Sequence, residues 1–179
     1  RRDRGGTVQN VSLPAEVNND VASPVLLENS SNTQTVEWLA ARITDIERFV
    51  DQLPSIAVFV NSEDDVEPTA TSLETLLSEH NIPVMACREG QAVGQESSVR
   101  VFDIQHIKGL EFEAVFFLGV DRLAELQPEL FDKYIYVGTT RAAAYLGLAC
   151  EGVLPAQLDP VRHHFAKDWT HKMRPSGSA

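Results

Sequence analysis

The run SIAVFV, residues 55–60, constrains the fold more than any other stretch of the chain. It follows Pro54 and has no polar residue after Ser55. A strand with one face in water alternates polar and apolar residues, whereas a strand covered on both faces is apolar throughout. The run therefore predicts an interior strand of a sheet that carries helices on both sides.

Similar apolar runs recur along the chain and alternate with stretches of helical periodicity. Five further strands are predicted, at 23–29, 82–87, 99–105, 113–119 and 144–150. Helices are predicted at 35–50, at 65–80 with Ser62 as the cap and Pro68 in an early turn, and at 128–142. This alternation predicts a three-layer α/β domain with a mostly parallel sheet.

The ends of the chain differ in composition from the middle. Residues 1–22 are polar and predict a flexible N-terminal arm, residues 23–155 predict one lobe, and 156–179 predict a C-terminal tail. A short helix is predicted in that tail near His163 to Lys172. At 179 residues, the chain is long enough for one substantial core.

The net charge of −11 argues against a protein that coats nucleic acid, although a local basic groove stays compatible with it. No apolar run approaches the roughly 20 residues that span a bilayer, and no secretory signal is visible. We therefore expect no membrane partner and a cytoplasmic location.

Cys87 and Cys150 each end an apolar run, which predicts buried, reduced thiols. The neighbours His163 and His164 cannot share a helix face, and no protein metal site is expected.

The stretch QHIKGLEFE, residues 105–113, carries charge into a buried strand. Gly109 allows a tight turn or the close approach of a ligand. His106 and Lys108 offer donors for phosphate oxygens, and Glu111 offers an acceptor that suits a sugar hydroxyl. In parallel sheets, ligands bind at the carboxyl ends of strands, which is where this loop is predicted. The alternative is a solvated turn with an incidental ion pair.

The stretch YIYVGTTRA, residues 134–142, places Arg141 beside Thr139 and Thr140. A guanidinium keeps its charge and matches phosphate geometry with two parallel hydrogen bonds. The alternative is a surface arginine paired with Asp132 or Glu129, or one that covers apolar surface with its stem.

Taken together, these stretches resemble a known family. VFDIQHIKGLEFEAVFFLGVD followed by LFDKYIYVGTTRA resembles motifs V and VI of UvrD/Rep-like superfamily 1 helicases, and residues 55–84 resemble their motif IV region. The resemblance implies the C-terminal, RecA-like lobe of an ATP-dependent DNA helicase, a P-loop-NTPase-type fold without its own P-loop. It also implies an N-terminal RecA-like lobe that holds ATP with Mg²⁺, and single-stranded or duplex DNA as partner.

The same resemblance implies roles for individual residues. Arg141 is similar to an arginine finger for the γ-phosphate, and Glu111 to a ribose-hydroxyl acceptor, with Gly109 beside the nucleotide. His106, Lys108 and Thr140 fall where the family contacts nucleic acid. We therefore expect Glu111 and Arg141 to meet at a common rim.

Several positions depart from the family pattern. Val60 and Asn61 stand where an aromatic residue and an arginine are usual, and Ile104 stands where a threonine is usual. Only the segment Met85–Val99 fills the place of a large accessory insertion. No G-x-x-x-x-G-K-[ST] loop is present, so this chain alone is not expected to hydrolyse ATP.

Two other interpretations are open. One is a catalytically silent helicase-like domain that regulates or binds another protein, which the acidic balance and Asn61 favour. The other is an unrelated α/β domain for a small nucleotide or metabolite, in which the motif match is chance. Trp38 and Trp169 could stack on bases, but packing is the simpler expectation for both.

Overall fold

The computed structural model describes residues 22–95, 97–108, 110–136 and 144–169. Within them, six strands form one sheet. The strands are β1 (Val25–Leu27), β2 (Ile56–Val60), β3 (Val84–Ala86), β4 (Val99–Asp103), β5 (Ala114–Phe117) and β6 (Tyr145–Ala149). Each lies inside a stretch predicted to be a strand, so all of those predictions are confirmed.

The sheet has the order β1-β6-β5-β2-β4-β3, and its strand pairs are parallel. Strand β2 pairs with both β4 and β5, and all of its residues are buried. Its side chains alternate between two separate cores: Val58 belongs to one and Phe59 to the other. The continuous apolar run therefore reflects burial on both faces, as the sequence predicted.

Helical elements cover both faces of the sheet. One face carries α1 (Asn32–Phe49) and α2 (Val66–Leu77). The other carries α3 (Val120–Leu126), a short turn α4 (Pro128–Leu130), a π-helical segment (Phe131–Tyr136) and a 3₁₀ helix (Ala156–His164). The predicted three-layer α/β fold is confirmed.

Helix α1 begins three residues earlier than the predicted residue 35 because its N-terminus is capped. The Ser31 hydroxyl accepts a hydrogen bond from the Gln34 amide at 3.2 Å, and the Gln34 side chain accepts one from the Ser31 amide at 2.8 Å. This reciprocal pair satisfies two amides that a helix start would leave open.

Helix α2 is shorter than predicted, since 3₁₀ turns precede it at Glu63–Asp65 and follow it at Ser78–His80. Ser62 stands before the first turn but caps no backbone amide; its hydroxyl instead donates to the Asp65 carboxylate at 3.1 Å. Ser62 therefore occupies the N-cap position of the first turn, as predicted, but without a capping hydrogen bond from its side chain.

Two element boundaries also differ from the sequence predictions. The strand predicted at 99–105 ends at Asp103, because a carboxylate oxygen of Asp103 accepts from the Gln105 amide at 3.0 Å and starts a 3₁₀ turn. The helix predicted at 128–142 is only the turn α4 followed by π-helical geometry to Tyr136, while 137–143 lie outside the described residues. Helix α3 was not predicted.

The C-terminal segment packs against the sheet. Its 3₁₀ helix ends at His164, before most of the helix predicted near His163 to Lys172, and buries Leu158 and Val161. Farther on, Trp169 is fully buried, and its indole N–H donates to the Ser23 carbonyl at 2.6 Å. Residues 156–169 are thus part of the packed structure.

The burial predicted for the two tryptophans and the two cysteines is confirmed. Trp38 is buried with its ring edge-on to Phe116, at a centroid separation of 6.1 Å, so both tryptophans pack inside the domain. Cys87 and Cys150 are buried and free. Among the described residues, no helix has the length and apolarity required to cross a bilayer.

Candidate functional site

All six strands are parallel, so the loops that follow them emerge at one edge of the sheet. At the centre of this carboxyl edge, Asn61 follows β2 and Gly119 follows β5. The Asn61 side-chain amide donates to the Gly119 carbonyl at 3.0 Å. Gly119 has φ +67°, and a Cβ there would lie 2.7 Å from the Asn61 amide nitrogen. Asn61 therefore ties the two central loops together.

The other two departures from the helicase pattern have packing roles. Val60 is 3% exposed and Ile104 is 1% exposed, so both belong to the core. Neither side chain presents more than a small fraction of its surface to solvent. These two side chains therefore stabilise the core, whereas the aromatic residue and the threonine usual at these positions could stack on a base or form a hydrogen bond.

A cleft of about 350 Å³ opens at the same edge, between the first turns of α1 and α2. Its described lining contains no lysine, arginine or histidine, but it contains Asp65 and Glu151. A phosphate would meet negative charge there, although two helix N-termini flank the opening. The cleft is therefore poorly suited to bind a phosphate.

The loop after β4 holds the described residues of the QHIKGLEFE stretch. Asp103 starts the 3₁₀ turn Ile104–His106, which carries His106 to the surface. Lys108 and Glu111 follow and are both exposed. Exposure leaves the Lys108 ammonium and the Glu111 carboxylate accessible to a ligand from outside the lobe.

His106 is positioned by two neighbours. Its Nε2 lies 3.7 Å from a Glu63 carboxylate oxygen, and its side chain is 37% exposed. Its ring packs on Gly90, where φ is +79° and a Cβ would lie 2.9 Å from ring atoms. The loop after β3 thus needs a glycine at position 90 to make room for the imidazole.

A small ion-pair network surrounds Glu63. Arg88 lies 3.7 Å from the second Glu63 oxygen and also donates to Glu67 at 2.8 Å. The Glu89 amide donates to that second Glu63 oxygen at 2.7 Å. At this end of the carboxyl edge, basic and acidic side chains therefore alternate, in contrast to the acidic cleft.

At the opposite end of the edge, Glu28 after β1 holds the C-terminal segment. Its carboxylate pairs with Arg162 and accepts from the Leu154 amide at 2.7 Å. The hydrogen bond from Arg162 lowers the pKa of Glu28, the Leu154 amide lowers it further, and partial burial opposes both effects. The pair of Glu28 and Arg162 joins the N-terminal strand of the lobe to its C-terminal segment, so we assign it a structural role.

The thiol of Cys150 lies beside the cleft but is not a reactive group. Burial raises the pKa of Cys150 to about 12, and the nearby Asp121 carboxylate raises it as well. A thiolate is the nucleophilic form of cysteine, so this side chain is inert near neutral pH.

Three of the predicted site residues, Gly109, Thr140 and Arg141, lie outside the described residues. The convergence of Glu111 and Arg141 on one rim therefore stays a prediction. Sequence reasoning missed the tie between Asn61 and Gly119 and the approach of Glu63 to His106. Both join loops that are far apart in sequence, and no local pattern signals them.

The chain is similar to known helicase domains in part of its sequence and in its fold. Residues 98–149 match the family model described as the UvrD-like helicase C-terminal domain. The fold matches a crystal structure of the C-terminal domain of a possible DNA helicase from Lactobacillus plantarum WCFS1, with a TM-score of 0.59 and 21% identity. That match covers 87% of this chain and 88% of the other. A search of curated proteins found no significant match. Residues 98–149 therefore resemble UvrD-like helicase C-terminal domains in sequence, and the described chain shares its fold with the C-terminal domain of that possible DNA helicase.

Proposed function

We propose that this chain is the C-terminal motor lobe of an ATP-dependent DNA helicase or translocase that works in the cytoplasm. An N-terminal RecA-like lobe of the same protein would hold ATP and its Mg²⁺, and closure of the two lobes would complete the site. The observation that carries the proposal is the match over residues 98–149, because it contains both QHIKGLEFE and YIYVGTTRA.

At the nucleotide, Arg141 is the residue we assign to catalysis. ATP supplies the phosphoryl group that passes to water, and a guanidinium stabilises the charge that develops during that transfer. Glu111 would accept a hydrogen bond from a ribose hydroxyl, with the backbone at Gly109 close by. The exposure of Glu111 supports this role, since its partner would arrive from another lobe.

Along the DNA strand, His106, Lys108 and Thr140 are the proposed contacts. The loop after β4 lies at the carboxyl edge of the sheet, the edge at which α/β folds bind ligands. Lys108 is exposed there and can reach a phosphate. Phosphate contacts of this kind set affinity and register without reading sequence.

The alternative is a catalytically silent helicase-like domain that regulates or binds another protein. Three observations favour it: the Asn61 side chain is hydrogen-bonded to the Gly119 carbonyl, Val60 is buried, and the cleft is acidic. In this alternative, the protein would keep the fold and lose the reaction.

ATP hydrolysis by the complete protein, with and without single-stranded DNA, separates the two. If the chain belongs to a motor, ATP turnover should occur and DNA should stimulate it. If the domain is silent, no turnover should occur in either condition.

Lys108→Ala should weaken DNA binding and reduce the slope of log affinity against log salt concentration by about 1. Lys167→Ala is the matched control, because Lys167 is also exposed but lies beside β1 at the other side of the sheet. Equal salt slopes for both variants would remove Lys108 from the DNA contact.

A further inference from the structure

Three side chains from two separate segments of the chain meet at the carboxyl edge of the sheet. Glu63 lies in the 3₁₀ turn before α2, Asp103 ends β4, and His106 ends the next 3₁₀ turn. Each offers one ligand atom, and these atoms all lie within 4.8 Å of one another. We propose that they bind a divalent transition-metal ion, with Zn²⁺ as the best-suited occupant.

The spacing is close to that of a first coordination shell. Bonds of about 2.0 to 2.2 Å to zinc place neighbouring ligand atoms about 3 to 3.6 Å apart. His106 Nε2 and a Glu63 oxygen are 3.7 Å apart without an ion. The three ligand atoms lie within 4.8 Å of one another, so side-chain movements of about 1 Å would bring them to bonding distance.

Each of the three ligand side chains also makes a further contact that limits its movement. An oxygen of Asp103 accepts from the Gln105 amide, and the second oxygen of Glu63 accepts from the Glu89 amide. The His106 ring rests on Gly90. Contacts of this type orient metal ligands and limit the entropy lost when the ion binds. This support is an observation separate from the clustering itself.

The donor set decides which cation fits. One imidazole with two carboxylates suits zinc, manganese or iron(II), whereas Mg²⁺ and Ca²⁺ favour sites made of oxygen alone. Three protein ligands leave at least one position for water or another ligand. Asp103 is 4% exposed, so its carboxylate is largely removed from bulk water, which strengthens its attraction for a cation.

Arg88 opposes the ion, since it lies 3.7 Å from Glu63. Its side chain is 62% exposed and can move into solvent or keep only its contact with Glu67. A bound divalent ion would neutralise both carboxylates that face His106. The competing account is a network in which His106 and Arg88 share Glu63, and no metal binds.

The test uses the EDTA-treated protein without ATP or DNA, so its outcome is independent of the proposed function. Titration with Co²⁺ should give visible d–d absorption that saturates at one ion per protein chain. Added Zn²⁺ should displace the Co²⁺ and remove the absorption. Isothermal titration should show the Zn²⁺ affinity falling at least tenfold in Asp103→Asn and in His106→Gln. Circular dichroism checks that the Asp103 variant is folded. His106→Gln is less disruptive to folding, because the His106 side chain is more exposed than Asp103.

Two controls address other histidines. His163→Ala with His164→Ala removes two stacked imidazoles with centroids 4.1 Å apart, and His80→Ala removes an imidazole that pairs with Glu47. Both should leave the Co²⁺ spectrum unchanged. No saturable binding, or binding that persists in the Asp103 and His106 variants, would overturn the proposal. So would binding that disappears with either control.

Discussion

Replacing Trp169 by alanine should destabilise the protein more than any other single change in the C-terminal segment. The side chain is fully buried, and it makes edge-to-face contacts with Phe116 and Tyr145 at centroid distances of 5.9 and 5.3 Å. Truncating a buried tryptophan to alanine costs about 3 to 5 kcal/mol. The hydrogen bond to Ser23 contributes about 1 kcal/mol of stability. We expect a loss of about 4 kcal/mol, a large share of the roughly 5 to 15 kcal/mol that stabilises a domain.

Trp169→Phe divides this loss into its parts. It keeps most of the buried ring and removes the hydrogen bond, so it should cost about 1 to 2 kcal/mol. Urea unfolding followed by circular dichroism measures both variants; with a slope of about 2 kcal/mol per M, Trp169→Ala lowers the midpoint by about 2 M. Leu126→Ala is the control, because Leu126 is 65% exposed and should change stability by less than about 0.5 kcal/mol. A loss below about 1 kcal/mol for Trp169→Ala would refute the packing of this segment.

Further predictions concern titration, reactivity and nucleotide binding. Because the folded pKa of Glu28 lies below its unfolded value, the stability it provides is complete above about pH 4.5 and is lost as the pH falls through the folded pKa. Glu28→Gln should therefore flatten the dependence of unfolding free energy on pH in that acid range, and an unchanged dependence would exclude this role. The buried Cys87 and Cys150 thiols should react with a disulfide reagent at about pH 8 only after unfolding; rapid reaction of the folded protein would contradict their burial. Glu111→Ala in the complete protein should raise the KM for ATP about tenfold, and should have less effect with a dideoxyribose analogue. Equal effects on both nucleotides would remove Glu111 from the ribose.

The fold was largely predictable from the sequence because its strands are apolar at most positions, with Arg100 and Asp103 of β4 as exceptions. SIAVFV could only be a strand with both faces covered, and β2 occupies the centre of the sheet. Helix starts were harder to predict, although one had a readable signal: Ser31 and Gln34 have the spacing of a capping box. The break between α3 and α4 lies at Gln127, where φ −140° and ψ 68° leave the helical region. Its signal in the sequence is Pro128, because the residue before a proline disfavours helical geometry.

The candidate site was predictable only in part. Local motifs identified the loop that carries His106, Lys108 and Glu111, because a charged turn before an apolar strand is visible in the sequence. The approach of Glu63 to that loop depends on β2 and β4 being neighbours, which brings together residues about forty positions apart. No periodicity or regular spacing in the sequence reveals tertiary contacts of this kind.

The proposed function requires Arg141 to act on a nucleotide bound by a neighbouring lobe. ATP turnover by the complete protein, measured alongside nucleotide affinity for the wild type and for Arg141→Ala, tests this claim most directly. Arg122→Ala serves as the control, because Arg122 is half exposed and pairs with Glu151 at 3.6 Å. The account predicts that Arg141→Ala lowers turnover about 10³-fold or more while affinity for ATP is largely kept. Undiminished turnover in that variant would contradict it.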